Sequence, residues 1–358
     1  MKANFTKKLF ACILSGALLI SAAGCSASQS AQSAAPASLA SAADASESAP
    51  AGEENPYVLI KMAQKSSAKS ANGEAIQIWC DLVNEAGVNI EMQFFPDSQL
   101  GTEQEMVEQI LMGEPLILYT DPTLASNYAP QLALLNGPYF VAQLEDFLLV
   151  NETEWFQQQL KELEDKGIKC VNSRFLFGQR HMLARKPVRT PEDLAGVKIR
   201  SQPSDVSIAV VEAMGATAVP LPFAEIYEAL ASGVIDGEEN PLATIYTNKH
   251  HETAKVVSLT GHMSTLSMFL MNNDLFNSLT EAQQKAIIDC GNQAADAFNN
   301  EINPRYTEEA LSQFASEGVT IVDDVDIAAF QEATRKVYEQ IDTWGAYDTI
   351  QSQLEALK

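Results

Sequence analysis

The chain has 358 residues, of which 46% are hydrophobic and 20% are charged, so it is long enough for about two domains and can bury a substantial core. Its 23 Lys and Arg residues are outnumbered by 47 Asp and Glu residues, which gives a formal net charge of −24. This charge argues against nucleic acid or an anionic lipid surface as a partner, because both are bound through clustered positive charge.

The first 24 residues have the pattern of a lipoprotein signal peptide. Three lysines precede an apolar stretch at 9–20, which is too short to cross a bilayer because a membrane-spanning helix needs about 20 residues. Small residues then lead directly to Cys25. The pattern predicts cleavage before Cys25 and lipidation of its thiol, the alternative being an ordinary signal peptide followed by an incidental cysteine. Cleavage would remove three lysines and no acidic residue, which lowers the net charge from −24 to −27.

Residues 25–56 are predicted to be the lipidated cysteine and a flexible tether. The segment 26–50 contains ten Ala and eight Ser residues but almost no large apolar side chain. Such a composition cannot form a core and is typical of flexible linkers. We expect the folded body to begin near Tyr57.

The body alternates predicted strands and helices. Strands are predicted at 57–62, 88–95, 116–119, 168–172, 197–200 and 234–236. Helices are predicted at 74–86, 101–112, 152–166, 203–214, 222–232, 280–317 and 326–344. This alternation is typical of an α/β fold with a mostly parallel sheet. The helical pattern at 280–317 is long enough to cross from one domain to another.

The body contains three cysteines, Cys80, Cys170 and Cys290, at wide spacing and with no zinc-binding pattern. We expect buried free thiols, with one disulfide and one remaining thiol as the alternative. Catalytic and nucleotide-binding signatures such as GxSxG, HExxH, GxxxxGK[ST] and GxGxxG are absent from the sequence. We therefore predict no enzymatic activity, no cofactor and no metal. A secreted hydrolase or lyase acting on an acidic metabolite is the enzymatic alternative.

The arginines are concentrated in one part of the chain. Five of the seven in the whole sequence are Arg174, Arg180, Arg185, Arg189 and Arg200. A guanidinium can hold a carboxylate through two parallel hydrogen bonds. Arg200 ends the predicted strand at 197–200, and ligands of α/β folds collect beyond the carboxyl ends of strands. The position predicts that Arg200 binds an anion, with Arg180 as the second candidate and surface ion pairing as the alternative.

The segment 236–241, DGEENP, is the other unusual feature, because it places three acidic residues within four positions. Asn240 precedes a proline, which disfavours the helical region, and we expect it in a turn between a strand and a helix. Its amide can donate and accept hydrogen bonds. Asn240 is therefore interpreted either as a ligand contact or as the N-cap of the following helix.

Together these segments resemble the solute-binding proteins of TRAP (tripartite ATP-independent periplasmic) transporters, of the C4-dicarboxylate-binding type. The resemblance covers residues 57–345. It is carried by DSQLG at 97–101, GQR at 178–180, RTPEDLAGVKIR at 189–200, GA at 215–216, VPLPFAEIY at 219–227 and DGEENP at 236–241.

The resemblance implies an α/β, two-lobed fold like that of periplasmic binding proteins, with a hinge and a long helix that crosses both lobes. Lobe I would comprise 57–178 plus 266–305, and lobe II 179–265 plus 306–358. The lobes would close around a ligand. The substrate-binding residues that it implies are Arg200, Arg180, Asn240, Phe223, Asp121 and Gln64.

Within this set, the resemblance makes Arg200 the clamp of the substrate carboxylate, with help from Arg180. The helical spacing of Phe223 also allows it to be a core residue. Asp121 would add negative charge to the cleft, which favours ligand hydroxyls over a second carboxylate at that end.

The predicted function is that of an extracytoplasmic, lipid-anchored and monomeric solute-binding protein. It would capture a small organic acid, such as a C4-dicarboxylate, a sugar acid, sialic acid or a 2-oxo acid, and deliver it to the membrane permease subunits of a TRAP transporter. Contact with the membrane would be made only through the lipid, and no nucleic acid is expected. A binding protein that feeds a membrane sensor is a further alternative.

Overall fold

One mixed β-sheet connects the two halves of the protein. In the computed structural model, which describes residues 55–358, the strands are β1 (Val58–Ala63), β2 (Ile90–Phe95), β3 (Leu116–Thr120), β4 (Ile168–Ala184), β5 (Lys198–Ser201), β6 (Thr217–Pro220), β7 (Gly237–Asn240), β8 (Val256–Asn272) and β9 (Thr320–Val322). Their order is β2-β1-β3-β8-β4-β7-β5-β6, and β9 pairs with β8. Parallel pairs β1–β2 and β1–β3 form one half, and β5–β6 and β5–β7 the other. We call the first half lobe I and the second lobe II.

Helices connect these strands. They are α1 (Ala71–Glu85), α2 (Glu103–Leu111), α3 (Pro122–Ala125), α4 (Asp146–Val150), α5 (Glu154–Asp165), α6 (Asp205–Ala213), α7 (Ile226–Ser232), α8 (Leu242–Thr247), α9 (Asn273–Ser278), α10 (Glu281–Ala297), α11 (Asn303–Ser316), α12 (Ile327–Thr334), α13 (Val337–Ile341) and α14 (Tyr347–Leu357). Among residues 55–358, no helix is both long and apolar enough to span a bilayer.

Both faces of the sheet are buried. In lobe I, Leu116 and Leu118 point into one hydrophobic cluster, whereas Ile117 points into a second. In lobe II, Met182 and Leu183 divide in the same way between two further clusters. Because successive residues of a strand face opposite sides, each lobe has a core above and a core below the sheet.

The long helix predicted at 280–317 is present and crosses both lobes. It begins after Thr280, whose hydroxyl caps the helix, and α10 continues into α11 through a π-helical turn at Phe298–Ile302. Residues of α10 pack in the lobe I core that contains Trp79, and α11 places Phe314 in a core of lobe II.

Two strands of 17 residues, β4 and β8, run antiparallel from one lobe into the other. The sequence predicted only the start of β4, and it missed β8. Their ladder changes register on both sides of Gly178, whose φ of +127° favours glycine. Gly178 pairs with Thr265, next to the predicted lobe boundaries at 178/179 and 265/266, which stay a prediction.

Three local predictions were wrong. The strand predicted at 234–236 is β7, which starts at Gly237, so Asn240 lies in a strand and Pro241 is the N-cap of α8. The helix predicted at 326–344 is divided into α12 and α13, and α14 was not predicted. The error at β7 has a physical cause. Acidic residues are rarely found inside a sheet, and here they are buried because basic partners lie opposite them.

Candidate ligand-binding cleft

A cavity with about 460 Å³ of empty space, a volume that includes open solvent, lies between the lobes. Five of the six predicted binding residues line it, namely Asp121, Arg180, Arg200, Phe223 and Asn240. Arg180, Arg200 and Asn240 lie in strands, Asp121 directly follows β3, and Phe223 begins a 3-10 turn after β6. The topology brings these residues of both lobes together. Their roles as ligand contacts stay a prediction.

Arg200 is a buried arginine with a free guanidinium. It lies on β5 and is 2% exposed, and its Nε donates to the backbone oxygen of Leu221 at 2.9 Å. Within residues 55–358, its terminal nitrogens have no hydrogen-bond acceptor and no carboxylate within 4 Å. Burial lowers the pKa of Arg200 to about 10, opposed by Glu239 and reinforced by Arg180. The group is still charged at neutral pH, and the N–H groups of its unpaired nitrogens can donate to a carboxylate from solution.

Arg180 is instead neutralised by the protein. Its Nε and Nη2 donate to both carboxylate oxygens of Glu239, and Nη2 also donates to the Glu239 backbone oxygen at 2.7 Å. The Nε2 atom of His262 lies 3.4 Å from the same carboxylate, and all three side chains are buried. Burial would raise the pKa of Glu239, but Arg180 and His262 outweigh it and hold the pKa at about 2. The pair is therefore ionised at neutral pH.

Asp121 lies on the opposite wall, in lobe I, and contacts lobe II. Its Oδ1 accepts from the backbone N–H of Thr123 at 2.8 Å, which makes it the N-cap of α3. Its Oδ2 accepts from Gln202 Nε2 at 3.1 Å, and Lys65 Nζ is 3.8 Å away. Burial opposes ionisation, but Lys65 and the bonds from Thr123 lower the pKa of Asp121 below its usual value. The contact with Gln202 joins the two lobes across the cleft.

Asn240 is oriented by two buried residues. Its Nδ2 donates to Glu238 at 2.6 Å, and the other carboxylate oxygen of Glu238 is 3.0 Å from His250 Nδ1. In the described part of the chain, no donor reaches Asn240 Oδ1. The imidazole of His250 also packs 5.9 Å, between ring centres, from Phe223. The amide therefore keeps its oxygen free, which suits a ligand hydroxyl.

Gln64 is the predicted residue that does not line the cavity. It is fully buried at the end of β1, and its Nε2 donates to the backbone oxygen of Ser67 at 3.0 Å. This bond orders the loop that carries Lys65 and Ser66 to the cleft. The structure places Gln64 behind the wall, where its part is to support the loop.

Several lining residues were missed by the sequence analysis. Lys65 lies two residues after β1, and Gln202 follows directly after β5. Their positions after predicted strands could have identified them, because ligands of α/β folds collect beyond the carboxyl ends of strands. Phe177 and Ser267 lie inside the long strands β4 and β8, and Tyr119 lies inside β3; their positions gave no comparable signal.

Residues 62–343 match the family model for bacterial extracellular solute-binding protein family 7, DctP. The chain belongs to this family. The resemblance to TRAP solute-binding proteins and the two-lobed α/β fold are thereby confirmed. Family 7 is a family of solute-binding proteins and not of enzymes.

Two solved structures show how similar the fold is. A TRAP periplasmic solute-binding protein from Ochrobacterium anthropi, with bound L-fuconate, is 34% identical with a TM-score of 0.79, over 84% of this chain and 100% of that chain. A second such protein, from Actinobacillus succinogenes with bound L-galactonate, is 30% identical with a TM-score of 0.78, and the match again covers 84% of this chain and 100% of that chain. The 2,3-diketo-L-gulonate-binding periplasmic protein YiaO of Escherichia coli K12 is 27% identical over 245 residues, 68% of this chain and 74% of that protein.

We expect a histidine near the cleft to make the stability of this family 7 protein depend on pH. His181 Nδ1 accepts a hydrogen bond from the backbone N–H of Gly261 at 3.1 Å, which requires an unprotonated Nδ1. Burial, reinforced by His262, lowers the pKa of His181 from 6.5 to about 4. Between these values the unfolded chain binds the proton more strongly than the folded protein. Acidification through this window should therefore lower the free energy of unfolding, by roughly 1–2 kcal/mol for this partly exposed ring.

Urea unfolding at pH 7 and pH 4.5 measures this effect. The variant His181→Gln keeps an acceptor for Gly261 but cannot be protonated, so its stability should change less between the two pH values. An equal loss of stability in the variant and the parent would show that other groups cause the pH dependence.

Proposed function

We propose that this family 7 protein captures a small carboxylate rich in hydroxyl groups between its lobes. The observation that carries the proposal is the buried guanidinium of Arg200, which is fixed by Leu221 and has no carboxylate from residues 55–358 against it. A ligand carboxylate supplies the missing partner and gains two charge-assisted hydrogen bonds in a site shielded from water.

The opposite wall supports hydroxyl groups on the rest of the ligand. Asp121 is ionised and repels a second carboxylate, but it accepts hydrogen bonds from hydroxyls. The free Oδ1 of Asn240 has the same preference. A sugar acid combines one carboxylate with several hydroxyls. The bound L-fuconate and L-galactonate of the two related structures support this class over C4-dicarboxylates.

In this proposal the closed protein delivers the acid to the membrane permease of a TRAP transporter and acts as a monomer. Lobe I comprises 57–178 plus 266–305, and lobe II comprises 179–265 plus 306–358. The signal peptide at 1–24, the lipid on Cys25 and the tether that follows would hold it outside the cytoplasm at the membrane. The support for the anchor is the sequence pattern alone, since these residues precede the part that the structure describes.

Thermal unfolding with a panel of ligands tests the proposal. The protein is first denatured and refolded to remove any ligand carried through purification, and L-galactonate, L-fuconate, succinate and neutral L-galactose are then compared. A ligand at 100 times its Kd should add about 2.7 kcal/mol of stability. We expect the sugar acids to stabilise the protein and neutral galactose to have no effect.

Stabilisation by succinate or galactose but by neither sugar acid would contradict the proposal. Recovery of the bound acid without chemical change, checked by mass spectrometry, separates binding from the hydrolase or lyase alternative. Uptake of that acid by vesicles containing the permease, dependent on added binding protein, separates transport from signalling to a sensor.

A further inference from the structure

A second cavity, with about 330 Å³ of empty space that includes open solvent, lies beside the cleft. Both cavities are bordered by Ser66, Phe177 and Thr244, so they meet at the ring of Phe177. The remaining wall is formed by the start of α1 in lobe I, by α8 in lobe II and by the long helix. A ligand that filled both cavities would thus contact both lobes twice.

The two cavities differ in charge. The first contains Lys65, Asp121, Arg180 and Arg200, whereas no charged side chain of residues 55–358 lines the second. The wall of the second cavity instead carries hydroxyls and side-chain amides, on Ser70, Asn72, Thr247, Asn248 and Asn303. It is therefore suited to an uncharged, hydrogen-bonding group.

Asn72 shows that this wall has unused hydrogen-bonding capacity. The residue is 5% exposed, and its Oδ1 is buried without a donor in the described part of the chain. The backbone N–H groups of Ala71 and Asn72, in the first turn of α1, are likewise not given an acceptor by residues 55–358. Buried polar groups are normally paired, so an unpaired acceptor beside unpaired donors points to a missing partner. A hydroxyl can serve as acceptor and donor together.

The amides of α8 and the long helix add to this capacity. Asn248 Nδ2 donates to the backbone oxygen of Thr244 at 2.9 Å, and Asn303 Nδ2 donates to that of Leu176 at 3.1 Å. Each bond fixes the amide nitrogen towards the protein backbone. In each case the Oδ1 atom is the end left for a ligand.

We propose that the second cavity is a neutral sugar subsite, so that the protein accepts a sugar acid extended by a second sugar ring. This inference rests on the proposed function, because it keeps the carboxylate at Arg200. The glycosidic link passes Phe177, whose ring offers an apolar face to the C–H groups of the sugar. The hydroxyls of the second ring then pair with the amides around Asn72.

Isothermal titration of the refolded full-length protein with D-gluconate and lactobionate tests this inference. Lactobionate is gluconate that carries a galactose, so the pair differs only in the second ring. We expect lactobionate to bind at least tenfold more tightly than gluconate. Asn72→Ala should reduce lactobionate affinity about tenfold and leave gluconate affinity within twofold.

Thr247→Val, on the opposite lobe, removes one hydroxyl at nearly constant volume and should also weaken lactobionate selectively. Asn300→Ala, an exposed amide outside the cavity, is the control and should change neither affinity. Binding of gluconate with exclusion of lactobionate would overturn the subsite and leave the proposed function standing. Tight lactobionate binding that neither variant weakens would also overturn it. Failure of both acids to bind would count against the proposed function and the subsite together.

Discussion

Arg200→Ala should abolish tight binding of the carboxylate without unfolding the protein. Within residues 55–358 the guanidinium has no carboxylate partner, and its loss leaves the buried ligand carboxylate without a counter-charge. Removing one partner of a buried, hydrogen-bonded charge pair costs about 2–5 kcal/mol, a fall in affinity of roughly 30- to 4,000-fold. Titration calorimetry with the best sugar acid of the thermal panel measures this change.

Stability separates a binding residue from a core residue at this position. In the free protein, Arg200→Ala removes the hydrogen bond from Nε to Leu221. The substitution also removes the free-energy cost of burying an unpaired charge. The melting temperature of the free variant should therefore be equal to or above that of the parent. A core role would instead lower it by several degrees.

Two further variants test whether the planar fork of Arg200 is required and whether the effect is specific to this arginine. Arg200→Lys keeps the charge but loses the planar fork, so binding should still weaken. Arg189→Ala is the matched control, because Arg189 lies on the same lobe, is half exposed and pairs with Asp324 at 2.9 Å. It should leave affinity unchanged. Parent-like affinity in Arg200→Ala would remove the basis of the proposed carboxylate clamp.

Glu239→Ala should be among the most destabilising substitutions in the cleft. It leaves the buried guanidinium of Arg180 without its carboxylate and removes the neighbour of His262. Breaking a buried ion pair by removing one partner costs about 3–5 kcal/mol. Urea unfolding of the free protein gives this value. Asp324→Ala breaks the exposed pair with Arg189 and should cost less than about 1 kcal/mol.

The double variant Arg180→Ala, Glu239→Ala tests whether the cost arises from the stranded charge. Removing both partners should cost less than the sum of the single substitutions, since neither member of this pair is then left as an unpaired buried charge. Strict additivity would contradict the explanation.

The pH dependence has a defined sign, because the folded pKa of Glu239 is about 2, against 4.5 ordinarily. Its stabilising contribution is complete above pH 4.5 and is lost as the pH falls towards 2.

Local chemistry in the sequence was sufficient to predict much of the framework. The left-handed Gly233 ends α7 as predicted, with φ of +76°, and Thr280 begins the long helix. The strand that carries Arg200 was placed within one residue, because its apolar residues alternate. These features depend on neighbours within a few positions along the chain.

The features that were missed depend on partners far away in the sequence. Glu239 can lie inside a sheet because Arg180, 59 positions earlier, neutralises it. Gln202 belongs to the site because Asp121, 81 positions away, accepts its amide hydrogen. The polar β8 is buried between other strands, so its residues show no contrast between an apolar and a solvent-facing side. Periodicity along one segment contains no information about such pairings.

The strand order also determines when this polypeptide can fold as it is synthesised. Leu118, near the end of β3, pairs with Leu270 of β8, and Val257 of β8 pairs with Ile321 of β9. A ribosome releases residues from the amino end, so the first three strands emerge long before the strand that completes their sheet. Neither lobe can form until most of the chain has been made. The nascent protein consequently stays open late in translation, a state that suits the export predicted from its first 24 residues.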